Sequence, residues 1–242
     1  ADRLAHAFKS RIVQEDTPMR DLTEHEIQQY KGLVEAARTT EYRSFAENNT
    51  FDILAKHLVP KGRRIMTSRE LLQWKEPLQR VKCRVVLRGF QDDRQLKAVD
   101  SPTLRIESWR LITQQAADHD WDILKFDLKT AFLQGIEYSE ESELVYWNPP
   151  PMFKKFYHMA DNELCVAKRA IYGLNDAPRR WYEKLAAAFM ATVKAGGFGM
   201  ERHWLDPCLF QKYVCEKSNV EGQAPKDAHF SPESARRYAD VE

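Results

Sequence analysis

Apolar residues in this chain arrive in short runs, several of them cut off by Pro, Gly or Asn, and three stretches of helical spacing lie between them. That mixture points to a chain that holds both helices and strands. Thr23 followed by Glu26 is a capping-box pattern, and Ile27, Tyr30, Val34 and Ala37 continue at helical spacing, which predicts a helix over about 24–46. Asn48-Asn49-Thr50 ends it; the triplet is also a formal glycosylation sequon, read here as an intracellular turn. Phe51 to Val59 and Val81 to Phe90 are β-prone and predict a strand pair, with the basic Pro60-Lys61-Gly62-Arg63-Arg64 turn between them. Ser101-Pro102 opens a second predicted helix, with Ile106, Trp109, Ile112 and Ala116 on one face and an end at Asp118-His119-Asp120. Trp121 to Leu128 alternates and predicts a strand carrying Asp127 near its end. Val145 to Trp147 and Leu164 to Ala167 read as further strands, and Leu209 to Val214 as the last. Between these, Asp176 N-caps a third helix with Pro178 in its first turn, ended by Gly196-Gly197. The pattern is that of an α+β chain.

With 242 residues, 43% of them hydrophobic and 30% charged, the chain can bury a core in one large domain or two small ones. The absence of a long apolar window predicts no membrane association and a soluble intracellular protein, cytoplasmic or nuclear. Cys83, Cys165, Cys208 and Cys215 are too scattered for a zinc ribbon and read as reduced thiols.

The net charge of +1 hides a division. Residues 56–88 hold ten basic side chains against two acidic ones, whereas residues 118–143 hold eight acidic against two basic. A basic region suited to phosphates followed by an acidic one suited to divalent cations is one reading; two solvated faces of opposite sign is another, and charge alone does not separate them. Within these regions Lys82 and Arg84 alternate on one strand face beside Arg88, which suits a triphosphate or a nucleic-acid backbone as well as it suits a solvated face. Asp127 at a strand end could ligate a metal or simply terminate the strand. Trp181 and Tyr182 could stack on bases, but the spacing to Leu185 and Phe189 favours a core role for Trp181.

Taken together, the short segments carry more. Lys82-Cys83-Arg84 through Gln91, Ser101-Pro102-Thr103, Phe126-Asp127-Leu128 through Gly135, Val145-Tyr146 with Pro149 to Pro151, Tyr172-Gly173-Leu174, Ala177-Pro178-Arg179 with Trp181-Tyr182, and Leu205-Asp206-Pro207-Cys208 resemble, in order and spacing, the reverse transcriptase of copia-type retrotransposons. Residues 1–22, charged and without a clear period, read as a loosely ordered lead-in. The resemblance implies a right-hand polymerase, with fingers and palm over 23–214, a mainly antiparallel palm sheet packed on helices, and a divergent tail over 215–242. It implies two Mg²⁺ ions, a template–primer of RNA or DNA, deoxynucleoside triphosphates as substrates, and other Pol domains as neighbours. Asp127 would be the first metal-binding carboxylate and a catalytic residue. Phe132, with Ala131, would form the gate beneath the sugar, and Lys82 and Arg84 would contact the triphosphate. Tyr172, Gly173, Pro178 and Arg179 would hold template and nucleotide, while Lys61, Arg63 and Arg64 suit the nucleic-acid backbone.

Two departures follow from the resemblance. Asn175-Asp176 stands where the family usually has Lys-Gln, which would put an anion near the template. The Tyr-x-Asp-Asp hairpin that completes the metal site is matched only by Tyr238-Ala239-Asp240-Val241-Glu242, so Asp240 is a weak second metal ligand. The expectation is a polymerase whose frame diverged or whose last element decayed after Val214, inactive as it stands. The rival expectation is a non-catalytic nucleic-acid-binding or scaffold remnant.

Overall fold

The computed structural model describes residues 19–75, 80–96 and 98–212. Its elements are β1 (Arg20–Asp21), α1 (Glu24–Gln29), α2 (Lys31–Glu47), β2 (Phe51–Ala55), β3 (Ile65–Lys75), β4 (Arg80–Leu87), α3 (Ile106–Asp118), β5 (Val145–Asn148), α4 (Pro151–Phe156), β6 (Glu163–Ala167), α5 (Ala177–Met190), β7 (Glu201–Arg202) and β8 (Phe210–Gln211). The described residues fall into two compact units, the first up to residue 100 together with 128–181, the second 101–127 together with the residues from 182 to 212. The class is the expected mixture of helices and a mostly antiparallel sheet.

In the first unit the sheet runs β1-β3-β5-β6-β2, with β4 also paired to β3. All of its pairings are antiparallel except β3 with β5, where Ile65 lies opposite Tyr146. The predicted partnership of Phe51 to Val59 with Val81 to Phe90 is not formed. Instead β2 pairs with β6, and β4 pairs with β3, an eleven-residue strand that the sequence pattern concealed. The reason is polar residues on the core-facing parity of β3. Met66, Leu72 and Trp74 are buried there, but Ser68 and Glu70 interrupt them. Ser68 donates to the Asn148 carbonyl at 2.7 Å, and Glu70 accepts from Arg38 Nη2 at 2.8 Å, from Arg38 Nε at 3.0 and 3.1 Å on its two oxygens, and from the Tyr42 hydroxyl. Each polar group is satisfied, so the strand survives its broken alternation.

The capping box at Thr23 and Glu26 is present, but the helix it opens breaks at Tyr30 into α1 and α2. Helix α2 lays Val34, Tyr42 and Phe45 on the sheet, and Asn48 with Asn49 at φ 50° ends it. Phe45, Phe51, Trp147, Phe153 and Tyr157 then form an aromatic cluster with centroids 4.7–6.5 Å apart. Edge-to-face geometry adds to the area these rings bury.

In the second unit α3 begins at Ile106, four residues beyond Pro102. Its start is capped from a distance: buried Asp206 accepts the Arg105 N–H at 2.9 Å and the Ser108 hydroxyl at 2.6 Å, and its other oxygen accepts the Cys208 N–H at 2.9 Å. The Asp206-Pro207-Cys208 motif is thus a helix cap. Phe189 of α5 packs on Phe198 and Phe210 at 5.5 and 5.0 Å. The predicted last strand is present as β8, paired with β7; residues 213 and 214 lie outside the described residues. The predicted strand over Trp121 to Leu128 does not form. These residues have no regular structure and are exposed, Leu124 at 87% and Phe126 at 71%. Alternation prepares a strand, but a neighbouring strand must supply its hydrogen bonds.

Candidate functional site

Strand β4 places Lys82, Arg84 and Val86 on one face while Cys83, Val85 and Leu87 turn into the core. Two N–H groups along its other edge are satisfied from outside the sheet. Val85 N donates to Glu41 Oε1 at 3.1 Å, and Leu87 N donates to the Tyr172 carbonyl at 2.9 Å. The turn after β6 is thereby fastened across the end of β4.

Glycine is required at that crossing. Gly173 has φ 93°, and a Cβ there would stand 2.1 Å from the Leu87 carbonyl oxygen; a Cβ on Gly89 would stand 2.0 Å from the Gly173 carbonyl oxygen. No side chain fits either position. With the backbones this close, the Arg84 guanidinium lies 6.0 Å from the Tyr172 ring centre, and the Phe132 ring lies 5.7 Å from it on the other segment. Phe132 and Ala131 belong to a short 3-10 turn, Ala131–Gln134, whose Leu133 is fully buried and anchors it. Thr130, at φ 51°, precedes the turn. Arg84, Phe132, Tyr172 and Gly173 therefore meet although they are up to 89 positions apart in sequence (84 to 173).

Electrostatics follow from burial. Burial raises the Tyr172 phenol to about 12, with the Glu41 charge adding to it and Arg84 opposing it. Burial also raises Glu41 to about 7, against the Val85 N–H bond and the cations of Arg84 and Lys82, which favour its charged form. Glu41 carries no sequence signal beyond its helical position, and it was not anticipated.

A second polar cluster was also missed. Asp176 does not face outward as an anion; its carboxylate is buried and accepts from Arg94 Nη2 at 3.1 Å, Arg180 Nε at 3.1 Å and the Tyr138 hydroxyl at 3.1 Å. Arg94 also binds Asp92 through Nε and Nη2 at 2.9 and 2.7 Å, and the guanidinium carbons of Arg94 and Arg180 lie 5.0 and 4.2 Å from the Tyr138 ring centre. Burial works against the charge on Arg94, but Asp92 and Asp176 hold its pKa above the ordinary arginine value. Burial likewise pushes the Tyr138 phenol up. The four-residue spacing of Asp176, just before α5, and Arg180 within it was the one visible hint.

The remaining predicted residues lie apart from this meeting point. Lys61 and Arg64 are exposed on the turn before β3. The Arg63 guanidinium is taken up by main-chain carbonyls, donating to Ser142 at 2.9 Å, Glu141 at 3.3 Å and Leu144, and stands 5.6 Å from the Tyr146 ring. Pro178 and Arg179 occupy the first turn of α5, where Arg179 Nη1 donates to the Asp100 carbonyl at 3.3 Å. Asp127 is exposed in the irregular 121–128 stretch, at the point where the second unit's 101–127 segment ends. Asp240 lies outside the described residues. Among the described residues no three His, Cys, Asp or Glu side chains converge in a way that could hold a metal ion. A pair of Mg²⁺ ions needs several converging oxygen ligands, so the donor set described here does not fit them.

Residues 48–218 match the family described as reverse transcriptase (RNA-dependent DNA polymerase). The chain belongs to that family. It is 30% identical over 203 residues to the "Retrovirus-related Pol polyprotein from transposon TNT 1-94" of Nicotiana tabacum, covering 78% of this chain and 14% of that protein. It is 36% identical over 118 residues to the Pol polyprotein from transposon RE2 of Arabidopsis thaliana, and 34% over 110 residues to that from transposon RE1 of the same plant. These cover 48% and 45% of this chain, and 8% and 7% of the two relatives. The chain thus spans about a seventh or less of these curated relatives, and no solved structure matches it. Membership of the reverse transcriptase family agrees with the motif order read from the sequence. Among the described residues no helix is long and apolar enough to cross a membrane.

Proposed function

We propose that this chain is the fingers and palm portion of an RNA-directed DNA polymerase from a copia-type Pol polyprotein, and that its first unit holds the incoming deoxynucleoside triphosphate against a template–primer. One observation carries the reading: Arg84, Phe132, Tyr172 and Gly173, from three distant segments, meet at the end of β4. In this arrangement Arg84 and Lys82 offer cations to the phosphates, since a guanidinium pairs with phosphate oxygens in a planar, two-pronged geometry. Phe132, on the 3-10 turn anchored by buried Leu133, would lie against the sugar and disfavour a ribose 2′-hydroxyl there. Gly173 and Gly89 let the two backbones close on each other, which sets the Tyr172 ring beside Arg84. Lys61 and Arg64 on their exposed turn would track the nucleic-acid backbone.

Chemistry would require divalent metal, with Asp127 as a ligand. The described carboxylates do not supply a two-ion site, and no catalytic step is assigned to them. The second reading is a binding protein without polymerase activity, which the exposed cations Lys61 and Arg64 would serve equally well. Primer extension on a homopolymer RNA template with Mg²⁺, run beside a salt titration of duplex binding, separates the two. Salt-sensitive binding is expected, with log K falling by about 0.9 per neutralised phosphate. The chain as it stands should not extend the primer; extension would establish the enzymatic reading. Absence of salt-sensitive binding would remove both.

A further inference from the structure

We infer that Asp176 is a positioning residue for the nucleotide site, acting through the buried arginines Arg94 and Arg180 to hold the Tyr172–Gly173 turn against β4; this rests on the reading of that site given above. The turn is tied at both ends. At its start the Tyr172 carbonyl accepts the Leu87 N–H at 2.9 Å, and Leu174 N closes back on Ile171 O at 3.1 Å. At its end Asp176 gathers three partners from three other places: Arg94 beyond the Gly89–Gln91 turn, Tyr138 after the Phe132 turn, and Arg180 one turn along α5.

Those partners are the supports of the site itself. Gly89, five residues before Arg94, presses on the Gly173 carbonyl, and Gly135, just after the Phe132 turn, packs against Arg180 Cβ. Arg94 further donates to the Glu143 carbonyl at 2.7 Å, and Arg180 to Glu143 Oε1 at 2.5 Å, so the 137–143 segment is fastened to the same pair of cations. A single carboxylate thus joins the segments bearing Gly89, Phe132 and Tyr172. In a buried setting its charge cannot be replaced by water, and without it two guanidinium groups lose a partner at once. The ring contacts of Tyr138 with both arginines would loosen together.

The site therefore depends on the Asp176 charge although Asp176 touches no nucleotide. The test is equilibrium dialysis of the full chain with radiolabelled dTTP and Mg²⁺, beside duplex binding, for the parent, Asp176→Asn and Tyr138→Phe. Circular dichroism melts establish that each variant is folded at the assay temperature. Asp176→Asn keeps the side-chain shape and removes the charge; it should raise the dTTP Kd about tenfold, equivalent to about 1.4 kcal/mol. Its salt slope for duplex binding, set by the exposed turn, should stay within 0.5 of the parent's, a threshold below the ~0.9 of one phosphate. Tyr138→Phe removes one hydroxyl from Asp176 and should raise the dTTP Kd about twofold. A merely structural Asp176 would lower the melting temperature and leave the dTTP Kd of the folded protein unchanged, which overturns the inference. If Asp176→Asn does not fold, Tyr138→Phe decides: an unchanged Kd overturns it. If the parent itself binds no dTTP, the nucleotide-site reading fails first, and the inference with it.

Discussion

The two units treat their apolar residues differently. In the first, Trp147, Phe45, Phe153 and Leu133 are fully buried, and polar groups that enter the core, such as Glu70 and Asp176, find partners there. In the second, Trp121, Leu124 and Phe126 stand in solvent, and the principal buried polar feature is the Asp206 cap on α3. The first unit closes its sheet through pairings between strands far apart in sequence, whereas the alternating 121–128 stretch has no strand beside it. Local pattern can prepare an element, and only a partner makes it.

Urea unfolding gives the sharpest way to break that contrast. Phe153→Ala, in the aromatic cluster, should lose about 3–5 kcal/mol, the usual cost of a large cavity. Leu124→Ala in the exposed stretch should stay within about 0.5 kcal/mol. Comparable losses at both positions would mean that 121–128 is packed, and the contrast would be false. Buried charge gives the next largest effect. Asp176→Ala should lose about 3 kcal/mol, since it leaves Arg94 and Arg180 short of a partner, whereas Asp127→Asn should be neutral.

How much of this was legible depended on whether a residue's partner was near in sequence. The capping box at Thr23, the stop at Asn48-Asn49 and the strands around Val145 and Leu164 all depend on neighbours within a few positions, and they are present. Strand β3 was hidden because Ser68 and Glu70 occupy core-facing positions and are satisfied by Asn148, Arg38 and Tyr42, none of which is near in sequence. The 121–128 stretch failed in the opposite sense: Leu124, Phe126 and Leu128 alternate as in a strand, and pairing is what it lacks. In the site, motif order placed Arg84, Phe132, Tyr172 and Gly173 in one family pattern, and they do meet. Glu41 and Arg94 were invisible because their importance comes from what burial sets beside them.

Glu41 offers a pH test of the first unit. Its folded value of about 7 lies above the ordinary 4.5, so the folded state binds this proton more tightly. The corresponding stability is fully present below about 4.5 and is lost as pH rises through about 7. Glu41→Gln should match the parent at pH 4 and become the more stable of the two by on the order of 1–2 kcal/mol at pH 8, where the buried charge is costly. A gap that does not widen between pH 5 and 8 would show that Glu41 is better solvated than its burial implies.

The smallest effect distinguishes the basic residues within the first unit. Neutralising Lys61 or Arg64, both exposed, should each flatten the salt dependence of duplex binding by about 0.9. Arg63→Gln should leave that slope unchanged, because its guanidinium already serves the 141–144 carbonyls. A flattened slope for Arg63→Gln would place phosphate on a group that the fold has taken for itself.

On the proposed reading, Arg84, Phe132, Tyr172 and Gly173 form a deoxynucleotide site. The affinity ratio of dUTP to UTP, measured by equilibrium dialysis on the parent and on Phe132→Ala, tests it most directly, because the two ligands differ only at the 2′ position. The parent should prefer dUTP by about tenfold or more, a difference of about 1.4 kcal/mol, and Phe132→Ala should bring the ratio close to one. Equal binding of the two by the parent, or a preference that survives Phe132→Ala, would contradict it.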